Sequence, residues 1–195
     1  MELVRKPSPG FRAEIHRIMG ESFAGDDVFK AFDVDGRKRE LVCAYMAHYV
    51  DFAIACKKLY ANDEGNGFVV LNRETTSHPF REMQLDRKLR SSIPHRCLDG
   101  LEEFATEVAD TTSTYRSNPY LELLNLCVDE PQRGRGLGRA IVDFCKNQAR
   151  AQGVPLIIDT DMPNNRDMYL HMGCDLYRTF YASNGVTRYN LVWMP

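Results

Sequence analysis

A chain of 195 residues, 44% of them hydrophobic, can bury one full core and is short for two. The formal net charge of -2, with acids and bases interspersed, favours neither nucleic acid nor a membrane surface as the main partner. Six cysteines with no C-x-x-C spacing argue against a disulfide framework or a zinc site; the start Met1-Glu2-Leu3-Val4-Arg5-Lys6 lacks an apolar leader, and no later stretch could span a bilayer, so a cytoplasmic location is expected.

In chain order, Leu3 to Lys6 reads as a short strand, and Ser8-Pro9 as the cap and first position of a helix carrying Phe11, Ile15, Ile18 and Met19. Gly25-Asp26-Asp27 breaks that pattern. A second helix is predicted from Arg39 to about Tyr49. A hairpin then pairs residues 52–60 with 67–72 across Asn62-Asp63-Glu64-Gly65-Asn66. Residues 73–118 read as a mostly helical insertion, with one helix after His78-Pro79 and another from about Leu98 to Ala109. Residues 120–128 form a strand, and Gly136 to Gln152 a helix closed by Gly153. A buried strand follows at 155–159. Asn164, with Asp167 three residues on, is expected to cap a short helix that Gly173 ends, and residues 176–182 pair with 187–193 as a hairpin. One domain, 1–195, is expected.

The segment Val128-Asp129-Glu130-Pro131-Gln132-Arg133-Gly134-Arg135-Gly136-Leu137-Gly138 places three glycines between a strand and a helix. Such a loop aims backbone N–H groups and the positive end of a helix at one spot, which suits an anion. A Walker loop needs Gly-Lys-Ser/Thr, but Arg139-Ala140 follow Gly138. A dinucleotide fingerprint needs a small last residue; in either register that position is Arg139 or Ile141. The pattern Arg/Gln-x-x-Gly-x-Gly/Ala after a strand ending in Val is satisfied throughout Arg133 to Gly138.

On these residues the chain resembles the GNAT family of acyl-coenzyme A-dependent N-acyltransferases. A second match is Asn165-Arg166-Asp167-Met168-Tyr169-Leu170-His171-Met172-Gly173-Cys174. Its Asn–Tyr–Gly spacing resembles the puromycin N-acetyltransferase branch, as do Tyr120-Leu121-Glu122 and Asp159-Thr160-Asp161-Met162-Pro163. The resemblance is good from about Pro119 onward and weak before Arg73. Cys174 stands where the family usually has Phe, and Pro131 comes one residue later than usual. The resemblance implies an α/β (α+β) GNAT fold: a mixed, mostly antiparallel sheet of six or seven strands flanked by helices. A splayed parallel strand pair lies at the coenzyme site. It implies acetyl-coenzyme A as cosubstrate, with no metal, held by the backbone of Leu126, Cys127 and Val128, by the loop residues Arg133, Gly134, Arg135, Gly136, Leu137, Gly138 and Arg139, and by Asn165.

Acyl transfer from a thioester to an amine needs a neutral amine, a stabilised oxyanion and a proton for the departing thiolate. An alkylamine with pKa of about 10.4 is almost wholly protonated near pH 7, so a carboxylate base helps. Glu122 is the expected base: strict alternation places it with Leu124, Leu126 and Val128 and opposite Cys127, and it falls where histone acetyltransferases of this superfamily carry a catalytic Glu. By the resemblance Tyr169 lies near the coenzyme sulfur and serves as the acid. Oxyanion stabilisation is expected from N–H groups near residues 126–128. Cys127 has no neighbouring base in sequence, which favours direct attack over an acyl-Cys route. His171, two residues past Tyr169, should face solvent.

The acceptor is expected opposite the coenzyme, with Tyr45, His95 and Tyr115 available to line its site. The puromycin-type resemblance favours a small amine acceptor; a monomer or homodimer is expected. A protein lysine or N-terminal acetyltransferase, with an open groove, and a non-catalytic coenzyme A-binding regulator are the alternatives.

Overall fold

The computed structural model describes residues 1–73, 77–117 and 119–195. Residues 74–76 and 118 of the expected 73–118 insertion lie outside the described residues. Seven strands form one sheet in the order β1(Glu2–Leu3), β2(Leu59–Ala61), β3(Gly67–Arg73), β4(Leu121–Val128), β5(Leu156–Thr160), β7(Thr187–Trp193), β6(Asp175–Tyr181). Every neighbouring pair is antiparallel except β4 with β5. This is the mixed, mostly antiparallel sheet expected from the sequence.

Helices cover both faces, giving two cores. On one face lie α1(Pro9–Phe23) and α2(Lys38–Ala55), whose Ile15, Ile18, Met19, Leu41, Met46 and Val50 pack on Leu59, Phe68 and Val70. The Ser8 side chain caps α1, accepting from the Phe11 N–H at 3.2 Å. The insertion supplies α3(Pro79–Ser92) and α4(His95–Glu107), which close the outer end of this core through Leu89, Cys97 and Leu98. On the other face α5(Leu137–Gln152) and α6(Pro163–His171) bury Ile141, Val142, Cys145 and Tyr169 against Val69, Leu123, Leu156 and Ile158.

Three expectations are corrected. The strand predicted from Phe52 starts only at Leu59. Val50, Ala53 and Ile54 continue the buried stripe begun by Met46, and helical spacing carries α2 on to Ala55. The helix after residue 160 begins at Pro163, with Met162 at the N-cap and no side-chain cap bond, so Asn164 lies inside it; Pro fits the first helical position because its missing N–H is not needed there.

The third correction concerns β4. Val70 pairs with Asn125 and Leu71 with Leu123, leaving Leu124 as an extra residue in a β-bulge. The bulge resets the alternation. Glu122, Asn125 and Cys127 pair with Asn72, Val70 and Phe68, and so share the α1/α2 face. Leu121, Leu123, Leu126 and Val128 share the other. Glu122 is therefore on the same face as Cys127, not with Leu126 and Val128.

The parallel ladder joins Leu121–Leu123 to Leu156–Ile158 and then stops, although β4 runs on to Val128 and β5 to Thr160. The strands part beyond Leu123, and the gap opens the sheet from one layer to the other.

Candidate active site

At the open end of this gap the chain leaves β4 through a tight turn at Glu130–Gln132, where Gln132 N–H donates to the Asp129 carbonyl at 2.8 Å, and enters the glycine loop. Gly134 and Gly136 have φ of +78° and +83°, a region that costs other L-residues about 1–2 kcal/mol. Among the described residues no acceptor is found for the backbone N–H groups of residues 134–139. A Cβ built on Gly134, Gly136 or Gly138 meets nothing within 4 Å, so the space over these donors is open. Unpaired N–H groups and the start of a sixteen-residue helix converge there, the arrangement that binds phosphates.

A cleft of about 610 Å³ extends from this loop into the gap. It is lined by Leu126, Cys127, Val128, Arg133, Gly134, Gly136, Leu137, Gly138, Arg139 and Asn165, so nearly every residue expected to hold the coenzyme borders one space. Arg135 is the exception: its side chain faces another depression and donates to Gln132 Oε1 at 3.1 Å. Arg133 ties the loop down, its guanidinium donating to the Val128 carbonyl at 3.2 Å and to Ser22 Oγ at 3.3 Å. The Arg139 side chain makes no hydrogen bond or ion pair with the described residues and is available to an anion.

A second cleft, of about 420 Å³, lies on the α2 side. Its walls include Phe29, Tyr45 and Tyr49, Leu101 and Ala105 of α4, and Glu122 and Asn125 of β4. Tyr45 is here as expected. His95 and Tyr115 are not; the Tyr115 ring packs on Tyr177, with centroids 5.0 Å apart. The two clefts share Phe23, Asp26, Leu126, Asn165 and Tyr169.

Tyr169 is 5% exposed, and burial raises its phenol further above its usual value, so it stays protonated at any physiological pH. α6 is held at its C-terminal end by the Lys146 ammonium, which donates to the Met172 carbonyl. His171 is exposed. Cys127 is a poor nucleophile: it is 3% exposed and burial pushes its thiol up to about 12.

Asp26 was read in the sequence only as part of a break after α1. Its carboxyl is pushed up to about 6, mainly by burial and then by the nearby Asp161, against the opposing effects of Lys38 and Arg133. It makes no hydrogen bond or ion pair with the described residues. The sequence signal was two adjacent acids directly after a helix, but two acids in a polar turn are ordinary surface chemistry. Only the packing of residues 27–32 against α2 and α4 brings one of them inward.

Glu122 lines the second cleft but is held by Arg116, whose Nη1 donates to it at 2.8 Å. The same guanidinium reaches Asp159 at 2.6 Å and approaches Asp110 at 3.8 Å. Arg188 pairs with Asp161, donating through Nη2 at 2.8 Å. Arg116 is thus the common counter-ion of three carboxylates, of which Asp110 is 1% exposed. Arg116→Met is expected to leave Glu122 without a counter-ion and to weaken the compensation of Asp159, while Asp110 keeps Arg178 at 2.6 Å. The cost should be about 3 kcal/mol, read as a lower urea midpoint. An unchanged midpoint would show the network to be energetically idle.

Residues 105–174 match the model of the acetyltransferase (GNAT) family. Similar solved structures include arylalkylamine N-acetyltransferase 2 from Aedes aegypti (12% identity, 99% of this chain and 97% of that one, TM-score 0.61). An acetyltransferase related to histone acetyltransferase from Corynebacterium glutamicum also matches (16%, 97% and 93%, TM-score 0.61). So does a Drosophila melanogaster polyamine N-acetyltransferase that forms N-acetylagmatine (16%, 98% and 98%, TM-score 0.56). The chain has the GNAT fold.

At these identities the likeness is one of fold. No match is found among curated protein sequences. The matched stretch contains β4 with its bulge, the glycine loop, α5, β5 and α6. The residues that wall the second cleft from the other side, Asp26 and the aromatic rings of residues 29–49, lie outside it.

Proposed function

We propose that this protein is an acetyl-coenzyme A-dependent N-acetyltransferase acting on a small primary amine by direct attack. The observation that carries this reading is the meeting of the two clefts at Tyr169, Asp26 and Leu126: a cleft floored by unpaired backbone donors on one side, and an amine-sized recess on the other. Acetyl-coenzyme A suits the loop cleft because its diphosphate needs backbone donors that no side chain obstructs.

In this reading the acceptor amine lies in the second cleft as an ammonium, and Asp26 takes its proton. The freed nitrogen attacks the thioester carbonyl from the acceptor side. N–H groups of residues 126–128, on the part of β4 that has left its parallel partner, face the developing oxyanion. The C–S bond breaks, and the Tyr169 hydroxyl donates to the departing sulfur. The proton still carried by the attacking nitrogen returns to the Tyr169 phenolate, leaving a neutral amide and a free thiol. Glu122, expected as the base from sequence, borders the same recess; its pairing with Arg116 supports a role in holding the acceptor wall, and Asp26 is the carboxylate without a partner.

The walls given to the second cleft by α2, α4 and residues 23–29 favour a small molecule over a peptide lying in an open groove. The Asn165–Tyr169–Gly173 spacing, which resembles the puromycin-type branch, supports the same choice. The test is release of thiol from acetyl-coenzyme A against a panel of primary amines and lysine peptides. Small-amine acetylation is expected; transfer to peptides alone would move the reading to protein acetylation. Coenzyme binding without any transfer would leave a regulator.

The loop makes its own prediction. Gly136→Ala is expected to weaken coenzyme A binding about tenfold by calorimetry, because the new Cβ enters the phosphate space and strains a residue at φ +83°. Unchanged affinity would dissociate the loop from the diphosphate.

A further inference from the structure

The bulge in β4 decides which side chain takes the place after Glu122 on the α1/α2 face. Unbroken alternation would bring Leu124 there; with Leu124 as the extra residue, Asn125 stands in that place instead. Asn is disfavoured inside a strand, and this one pairs across the ladder with the fully buried Val70. Asn125 is half-buried, and its amide makes no hydrogen bond among the described residues. A polar group kept from water without a partner costs about 1–3 kcal/mol, so a ligand in the recess gains by supplying one.

The neighbours of Asn125 locate it. It borders the acceptor recess and not the coenzyme cleft, whereas Leu126, its Cα about 3.8 Å further on, borders both. The amide therefore stands on the acceptor side of the N–H groups of residues 126–128 that face the oxyanion. The carboxylates of the recess have other tasks. Glu122 and Asp159 hold Arg116, Asp161 holds Arg188, and Asp26 takes the proton.

An ammonium that has given one proton to Asp26 keeps two N–H bonds as it attacks. One of these protons later goes to the Tyr169 phenolate, and the other stays in the product amide. Positive charge grows on the nitrogen as the C–N bond forms. An oxygen accepting from the retained N–H is then worth more in the transition state than in the ground state. We propose that Asn125 Oδ1 is this acceptor and that it makes the enzyme selective for primary over N-methylated amines. The inference rests on the acetyl-transfer reading and adds to it the residue that holds the attacking nitrogen.

The experiment reads thiol release with n-propylamine and benzylamine, each against its N-methyl derivative, at saturating acetyl-coenzyme A. The parent kcat/KM is expected to be at least tenfold higher for each primary amine, because a methyl group would leave the amide unpaired. In Asn125→Ala the primary amine loses its bond and the N-methyl amine loses nothing, so the ratio should fall severalfold. Asn125→Asp, which keeps an oxygen there, should retain it. Both amines are read on one preparation, so partial misfolding cancels. Equal use of the N-methyl amines by the parent, a ratio unmoved in Asn125→Ala, or one lost equally in Asn125→Asp overturns the role of Asn125 while acetyl transfer stands. Thiol release with neither primary amine overturns the small-amine reading, and this inference with it.

Discussion

Tyr169→Phe should lower kcat about 100-fold, close to 3 kcal/mol of transition-state stabilisation, while coenzyme A affinity stays within about twofold. The asymmetry follows from position. Tyr169 lines both clefts, and its ring belongs to the core with Cys145 and Cys174. Removing only the oxygen keeps the packing and removes the proton donor assigned to the departing sulfur. Rapid-quench measurement of the acetyl-transfer step with parallel calorimetry separates the two quantities. A kcat within about threefold of the parent enzyme would remove Tyr169 from the proton inventory, and protonation of the thiolate would then fall to solvent.

Asp26→Asn is expected to act on activity and stability in opposite directions. With the carboxyl pushed up to about 6, the proton acceptor is present above that pH and lost below it, so the parent kcat/KM should fall on the acid side near pH 6. The Asn variant should lose roughly 100-fold or more at pH 7.5 and lose this limb. Glu122→Gln should keep it. The reverse outcome, with the limb kept by Asp26→Asn and lost by Glu122→Gln, would return the base to Glu122.

For stability, the folded pKa of Asp26 lies above the usual carboxylate value of about 3.9. The folded state therefore binds the extra proton between pH 4 and 6, and Asp26's contribution to stability is present below about pH 4 and declines as pH rises through 6. At pH 7 the carboxylate is a net burden, and Asp26→Asn should raise stability by on the order of 1 kcal/mol, with a ceiling of about 3 kcal/mol. Urea titrations of both proteins at pH 4 and pH 7 check this: the gain should be present at pH 7 and absent at pH 4.

The loop was legible in the sequence because its chemistry is carried by consecutive backbone groups. Three glycines at alternate positions after a strand determine where the N–H groups point, and little outside the segment is needed. Most elements were legible for the same local reason: Ser8-Pro9 starts α1, Gly153 ends α5, and Ser183-Asn184-Gly185 turns the last hairpin. The end of α2 is not legible because Phe52-Ala53-Ile54 fits a buried strand as well as a buried helix, and only the sheet surface below chooses between them. The Leu124 bulge was not legible. No Gly or Pro marks it, and it exists because β4 must pair with β3 on one edge while parting from β5 on the other.

By itself the sequence pointed to the glycine loop and the Tyr169 helix, each written in contiguous residues whose backbone conformation follows from local sterics. The fold class followed from the family resemblance those residues carry. Tertiary structure alone decided which carboxylate is free. Glu122 has a conspicuous position in the chain, yet Arg116 reaches it from a turn of the insertion; Asp26 looks like surface, yet residues 27–32 fold it between two clefts. Desolvation and ion pairing depend on groups brought together from distant parts of the chain, and neither can be read along it.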